Sequence, residues 1–143
     1  MRFEVSEEIA APQEQVWRVL SEVVDWPHWC PTMTSVRRLD SGPLAFASAA
    51  RVRQPRLPTA LWRVTEFEPG SRFEWSSTAL GVTTRGGHRV ERLGERRSRV
   101  TLTLAQRGAL APLLGLLYGR LSRRYISLEA ASLKHRCESA PMT

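Results

Sequence analysis

The stretch ALWRVTEFEPGSRFEWSS, residues 60–77, decides the fold because it holds two strand patterns joined by a turn. Trp62 and Val64 alternate with polar side chains before the Pro-Gly pair, and Phe73 and Trp75 alternate with polar side chains after it. A period of two residues is typical of strands with one buried face. Proline followed by glycine favours a tight turn. We therefore expect an antiparallel hairpin whose inner face carries aromatic rings.

The same alternation continues on both sides of this hairpin, with turn residues between the runs. The predicted strands are Arg2–Ile9, Met33–Asp40, Phe46–Gln54, Ala60–Glu68, Arg72–Ser77, Val82–Arg92 and Arg97–Gln106. Short strands joined by such turns predict an antiparallel meander of about seven strands. The pair Gly86-Gly87 inside one strand predicts either a bulge or a close backbone approach.

Helical patterns interrupt this series twice. Proline and an acid at Pro12 and Glu14 favour a first helix, and a second short segment ends in the proline-containing stretch 25–31. From Leu110 to Cys137 the chain has Pro112 in the first turn and none later, which predicts one long helix. Its apolar side is predicted to carry Leu114, Tyr118, Leu121, Tyr125 and Leu128.

Length and composition predict one globular domain over residues 1–143, because the chain is 143 residues long and 42% hydrophobic. The net charge of +7 comes almost wholly from arginine, since Lys134 is the only lysine among 21 basic residues. The arginines are dispersed and no nucleic-acid motif accompanies them, which argues against a specific nucleic-acid partner.

The two cysteines, Cys30 and Cys137, lie in no metal or redox spacing, and no histidine or carboxylate motif predicts a metal site. The acidic start of the chain is unlike a signal peptide, so we expect a cytoplasmic protein. The longest apolar stretch, Ala109–Tyr118, is far shorter than the roughly 20 residues of a membrane span, so no span is expected.

Several segments together carry a family resemblance. They are Ile9–Pro12 with Val16-Trp17, Trp26-Pro27-His28-Trp29, Trp62–Gly70, Phe73-Glu74-Trp75, His88–Glu91 and Val100–Leu104. In this order they resemble the polyketide cyclase/dehydrase branch of the START-like superfamily, also called SRPBCC. The resemblance covers nearly the whole chain. It implies an α+β helix-grip fold, in which a curved antiparallel sheet wraps the long C-terminal helix and two short helices follow the first strand.

The resemblance also implies a cavity between sheet and helix that takes a hydrophobic or aromatic small molecule. Five tryptophans in the chain independently suit such a cavity. Binding or transport of this molecule, with no metal and no organic cofactor, is the leading interpretation. A polyketide cyclase or dehydratase is the alternative, so the sequence leaves open whether the protein is an enzyme, and whether it is a monomer or a homodimer.

The candidate ligand-binding residues follow from the predicted inner faces. They are Trp62, Trp75 and His88 on strands, Leu114, Tyr118, Leu121 and Tyr125 on the helix, and Arg53 as a rim residue that could steer an acidic guest. His88 is also the candidate catalytic residue, because histidine transfers protons near neutral pH. Glu129 lies near the inner side of the helix and is either a buried acid or an exposed residue.

Overall fold

The computed structural model describes residues 2–139, so the ends of the predicted domain, Met1 and residues 140–143, lie outside the described residues. Seven strands form one antiparallel sheet in the order β1-β7-β6-β5-β4-β3-β2. The strands are β1 Arg2–Ile9, β2 Ser35–Arg38, β3 Ala49–Arg53, β4 Ala60–Glu68, β5 Arg72–Ala79, β6 Val82–Gly94 and β7 Arg97–Arg107. The predicted helix-grip architecture is confirmed, because the curved sheet holds the C-terminal helix.

Three α-helices accompany the sheet. They are α1 Gln13–Ser21, α2 Trp26–Trp29 and α3 Ala111–Ser139, with a 3₁₀ turn at Val23–Asp25 before α2. The short helices follow β1, as predicted. Pro12 precedes the first residue of α1 with an extended ψ of 150°, and Pro27 occupies the first turn of α2, where its missing N–H costs nothing.

The strands β2 and β3 are shorter than their sequence patterns predicted. Asp40 accepts hydrogen bonds from the Ala49 amide at 2.9 Å and from Arg38 at 2.7 Å. Ala47 adopts a positive φ of 69°, which no strand residue does. Side-chain bonds of this kind replace the ladder and end the pairing early.

The long helix has two differently packed halves. Its C-terminal half buries Ile126, Ala130, Leu133 and Cys137 in the core beside α1 and β1. Lys134 donates to the Glu8 carbonyl oxygen at 2.7 Å, which ties this half to β1. The N-terminal half carries mostly half-buried and exposed residues, and it stands over a cavity in the sheet rather than on a filled core.

Candidate functional site

A cavity of about 370 Å³ lies between the inner face of the sheet and the N-terminal half of α3. Its walls come from β3 to β7, the β3–β4 loop and α3. A cavity of this size is within the range of small-molecule sites, which are concave and largely apolar with a few placed polar groups. The strands bring their side chains to it because alternate residues of each strand share one face.

Tryptophans form the aromatic wall of the cavity. The Trp62 and Trp75 indoles lie with ring centroids 5.6 Å apart, and Trp26 packs edge-on against Trp75 at 5.3 Å. Trp26 Nε1 donates to the Leu20 carbonyl oxygen at 3.0 Å, so its polar atom is satisfied within the protein. Trp26 belongs to a sequence motif, 26–29, but its position in the wall was not predicted.

A glycine makes this wall possible. Gly86 lies directly opposite Trp75 in the pairing of β5 and β6. A Cβ at position 86 would lie 3.2 Å from Trp75 Cδ1 and Nε1, closer than carbon atoms pack without displacement. The pairing of β5 with β6 is regular at Gly86 and Gly87, so these glycines do not form a bulge. Of the two predicted roles, they have the other one, a close approach to the backbone.

His88 forms part of the inner end of the cavity and is buried. Burial lowers the pKa of its imidazole from 6.5 to about 4, partly offset by the hydrogen bond with the Phe73 carbonyl oxygen. The ring is therefore neutral near pH 7. Near pH 7 it can accept a hydrogen bond, but with a pKa of about 4 it is a poor general acid and a weak base.

Glu129 is the acid of the cavity, and among the lining residues it is the one carboxylate. Its Oε1 accepts from Thr32 Oγ1 at 3.3 Å and from Gln54 Nε2 at 3.4 Å. Burial raises the pKa of Glu129 from 4.5 to about 7, because the hydrogen bonds from neutral Thr32 and Gln54 offset only part of the cost of burying the charge. The buried-acid alternative for Glu129 is therefore the one the structure bears out.

The second oxygen of this carboxylate, Oε2, has no hydrogen-bond donor among residues 2–139. Gln106 also faces the cavity, where its Nε2 donates to Thr84 Oγ1 at 3.3 Å while its buried Oε1 has no partner within the described part of the chain. A guest that carries a donor would find an acceptor at Glu129, whereas protein atoms cover the Gln106 Oε1.

A smaller void of about 10 Å³ adjoins this inner end. It is lined by both His88 and Glu129, together with Leu20, Trp26, Trp29, Cys30, Leu102 and Leu133. Cys30 Sγ lies 3.1 Å from Thr32 Oγ1, and burial followed by the nearby Glu129 charge raises the pKa of its thiol to about 11. Cys30 is thus a neutral thiol and not a nucleophile near neutral pH.

Six of the eight predicted site residues line the larger cavity, of about 370 Å³. They are Trp62, Trp75, His88, Leu114, Tyr118 and Tyr125. The Tyr125 hydroxyl donates to the Pro55 carbonyl oxygen, so it holds the β3–β4 loop against α3 rather than facing a guest. That these residues contact a ligand stays a prediction.

Arg53 and Leu121 do not line the cavity, which corrects their expected placement. Arg53 follows buried Val52 in β3, so alternation turns it to the exposed outer face of the sheet. Leu121 lies on the flank of α3, because the helical repeat after Tyr118 places Ser122 at the cavity instead. Met33, Gln54 and Gln106 also line the cavity, although none of them was predicted as a site residue. Alternation places Gln54 on the face of Val52 and Gln106 on the face of Leu104, so the strand pattern could have found these two. No comparable pattern marks Met33.

No helix within residues 2–139 is long and apolar enough to cross a membrane. In the same range no group of three or more His, Cys, Asp or Glu side chains is arranged to hold a metal ion.

Solved structures share this fold. The aromatase/cyclase Zhui from Streptomyces sp. R1128 superposes with a TM-score of 0.79 at 18% identity, covering 96% of this chain and 93% of its own. A START superfamily protein from Mycobacterium smegmatis gives a TM-score of 0.72 at 16% identity, over 96% and 97% of the two chains. The di-domain ARO/CYC protein BexL gives 0.77 at 22% identity over 99% of this chain, which spans 48% of that longer protein.

At these low sequence identities, the superpositions show a common fold and no more. No curated protein matches the sequence. The family model described as polyketide cyclase / dehydrase and lipid transport matches residues 1–138. Because this match spans nearly the whole chain and agrees with the helix-grip fold, the chain belongs to the polyketide cyclase / dehydrase and lipid transport family.

Proposed function

We propose that the protein binds a flat, largely apolar small molecule in the cavity of about 370 Å³ and holds it by one polar group at Glu129. The observation that carries this proposal is the pairing of a tryptophan wall with a carboxylate whose Oε2 has no donor within residues 2–139. Aromatic surface supplies most of the binding free energy, while a lone acceptor sets the orientation.

A fluorescence titration with 2-naphthol tests this proposal, with naphthalene as the matched probe that lacks the hydroxyl donor. Both should change tryptophan emission, and the change should shrink in Trp75→Phe because Trp75 forms the wall. Glu129→Gln should weaken 2-naphthol binding by about tenfold or less and leave naphthalene binding unchanged, since an amide is a weaker acceptor than a carboxylate.

Arg53→Gln is the control variant, because Arg53 lies outside the cavity and should not alter either affinity. Absence of any emission change with both probes would contradict the proposal. In a separate experiment, native mass spectrometry of protein purified from its own host would identify the natural ligand.

Catalysis on a polyketide-like substrate is the second candidate, favoured by one observation. Glu129, with a pKa raised to about 7, lines the same small void as neutral His88. An acid near its pKa at working pH both takes and returns a proton. The Glu129 carboxylate would remove a proton from a carbon between two carbonyls, and the electron pair would move onto a carbonyl oxygen.

The same group, now protonated, would return that proton to a hydroxyl on the neighbouring carbon. The carbonyl re-forms, a carbon–carbon double bond forms, and the C–O bond breaks, so that the hydroxyl leaves as water. His88 would accept a hydrogen bond from the substrate through its free ring nitrogen. On this candidate Glu129→Gln should lose about 10²–10⁴-fold in turnover, and His88→Gln should lose most turnover while keeping much of the affinity. Product formation is followed by chromatography. If wild-type protein does not transform its natural ligand, the catalytic function is rejected and the binding function remains.

A further inference from the structure

Beside the cavity, a group of leucine side chains is exposed to solvent. Leu116 is 82% exposed and Leu80 is 80% exposed, which are large values for leucine side chains in a soluble domain. We call this group the leucine patch. It consists of Leu80 in the β5–β6 turn and Leu110, Leu113, Leu116 and Leu117 at the start of α3.

The two parts of the patch are neighbours in space. Gly108, just before α3, packs directly on Gly81, and a Cβ at position 108 would lie 3.1 Å from the Val82 Cα. Leu80 therefore lies beside the start of α3. Leu80 also lines the cavity, as does Leu114, which lies between Leu113 and Leu116 in α3, so the patch adjoins the cavity.

Arginines continue the leucine patch along the same exposed stripe of α3. Leu113, Leu116 and Leu117 occupy the first two turns, and Arg120 and Arg124 follow at helical spacing and are exposed. Along the helix axis Arg120 lies about 5–6 Å beyond Leu116 and Leu117, at about 1.5 Å per residue. That separation is comparable to the depth of a lipid headgroup layer, about 5–8 Å per leaflet.

The sequence segments that form the leucine patch and most of the cavity wall contain no acidic residues. The sequence has no Asp or Glu between Glu95 and Glu129, none between Glu74 and Glu91, and none between Asp40 and Glu66. Within residues 2–139, Arg56, Arg107, Arg120 and Arg124 form no ion pair, whereas the paired arginines lie elsewhere on the sheet. The exposed leucines of α3 are thus followed along the helix by Arg120 and Arg124, which form no ion pair in the described part of the chain.

We propose that the leucine patch, with Arg120 and Arg124, is a docking surface for an anionic lipid bilayer. Leucines at the helix start enter the boundary between headgroups and acyl chains, and the arginines pair with lipid phosphates. A second copy of this chain fits less well, because a two-fold contact on this patch would set arginines against arginines without a carboxylate between them. The proposal does not rest on the ligand of the cavity.

Vesicle flotation tests the proposal with the full chain. Vesicles of phosphatidylcholine containing 30% phosphatidylglycerol are compared with vesicles of phosphatidylcholine alone. The protein should float with the anionic vesicles, and high salt should reduce this binding because exposed charges are screened. Leu116→Ser with Leu117→Ser should weaken binding at least about tenfold, since two inserted leucines are lost.

Phe46→Ser is the matched control, because Phe46 is 69% exposed but lies outside the patch, in the β2–β3 connection. It should float like wild type. Arg120→Gln with Arg124→Gln should remove the preference for anionic over neutral vesicles. Unchanged melting temperatures would show that these surface variants are folded.

Four outcomes would overturn the proposal. The first is no flotation with either vesicle type. The second is equal loss in Phe46→Ser and the leucine variant. The third is binding to soluble polyglutamate that the leucine substitutions do not affect, which would indicate an acidic protein partner. A concentration-dependent dimer in light scattering that the leucine substitutions abolish would likewise assign the patch to a second copy.

Discussion

The His88 imidazole stacks on the Phe73 ring of the neighbouring strand, with centroids 4.2 Å apart and planes 11° from parallel. The two residues are direct partners in the β5–β6 pairing, and His88 Nδ1 lies 3.3 Å from the Phe73 carbonyl oxygen. Since a carbonyl only accepts, Nδ1 carries the proton and Nε2 is the unprotonated nitrogen. The same residue thus holds the ring in place and sets its tautomer.

This arrangement and that of Glu129 predict opposite pH dependences of stability. The folded pKa of Glu129 is raised from 4.5 to about 7, so its contribution to the free energy of unfolding falls as pH rises through that range. The folded pKa of His88 is lowered from 6.5 to about 4, so its contribution rises with pH between those values. The two nearly cancel between pH 4.5 and 6.5.

Single variants should reveal each slope in urea denaturation between pH 4 and 8. Relative to wild type, Glu129→Gln should gain about 1.4 kcal/mol per pH unit from pH 4.5 to 7, about 3 kcal/mol in all. His88→Gln should lose stability relative to wild type as pH rises from 4 to 6.5. Slopes of the same sign in both variants would show that one of the two environments is misassigned.

Binding of a hydroxyl probe should depend on the protonation of Glu129. As pH rises through about 7, the carboxylate forms and becomes a stronger acceptor, so the affinity of wild type for 2-naphthol should increase. Naphthalene affinity should stay flat across the same range. Glu129→Gln should remove the pH dependence, and its persistence there would point to another titrating group.

A methyl group at Gly86 should push Trp75 out of the cavity wall. Because its Cβ would lie 3.2 Å from Trp75 Cδ1 and Nε1, Gly86→Ala should lower the free energy of unfolding by about 1–3 kcal/mol and weaken naphthalene binding. Gly94→Ala is the control in the same strand, where a Cβ would meet Arg97 Cβ at 3.8 Å, an ordinary contact. Equal effects of the two substitutions, measured by denaturation and fluorescence, would refute the packing argument.

Ser98 should matter for stability through one buried hydrogen bond. Its Oγ donates to the Ala11 carbonyl oxygen at 2.7 Å and joins β7 to the β1–α1 connection, where both residues are buried. Ser98→Ala would leave that carbonyl unsatisfied and should lower the free energy of unfolding by about 1–3 kcal/mol. Ser6→Ala removes an exposed bond to Thr101 and should change it by less than about 0.5 kcal/mol in the same urea titration.

The order of elements, the inner faces of the strands and the long helix were all predictable from local sequence patterns. Alternation at Trp62, Val64, Phe73 and Trp75 is a local property, because a residue's face in a strand depends only on its position in the run. The turn positions that proline and glycine mark are likewise a local property of the sequence. The ends of β2 and β3 were less predictable, since they depend on the side-chain bonds of Asp40.

Tertiary structure alone decided which inner residues meet, and what they can do there. Glu129 receives its two hydrogen bonds from Thr32, 97 residues away in the chain, and from Gln54, 75 residues away. No local pattern encodes such partners, and the pKa of a buried acid depends on them and on its burial. The exclusion of Leu121 from the cavity, the occupied hydroxyl of Tyr125 and the exposure of the leucine patch likewise follow from where α3 rests on the sheet, because burial is a property of the assembled fold and not of the helix alone.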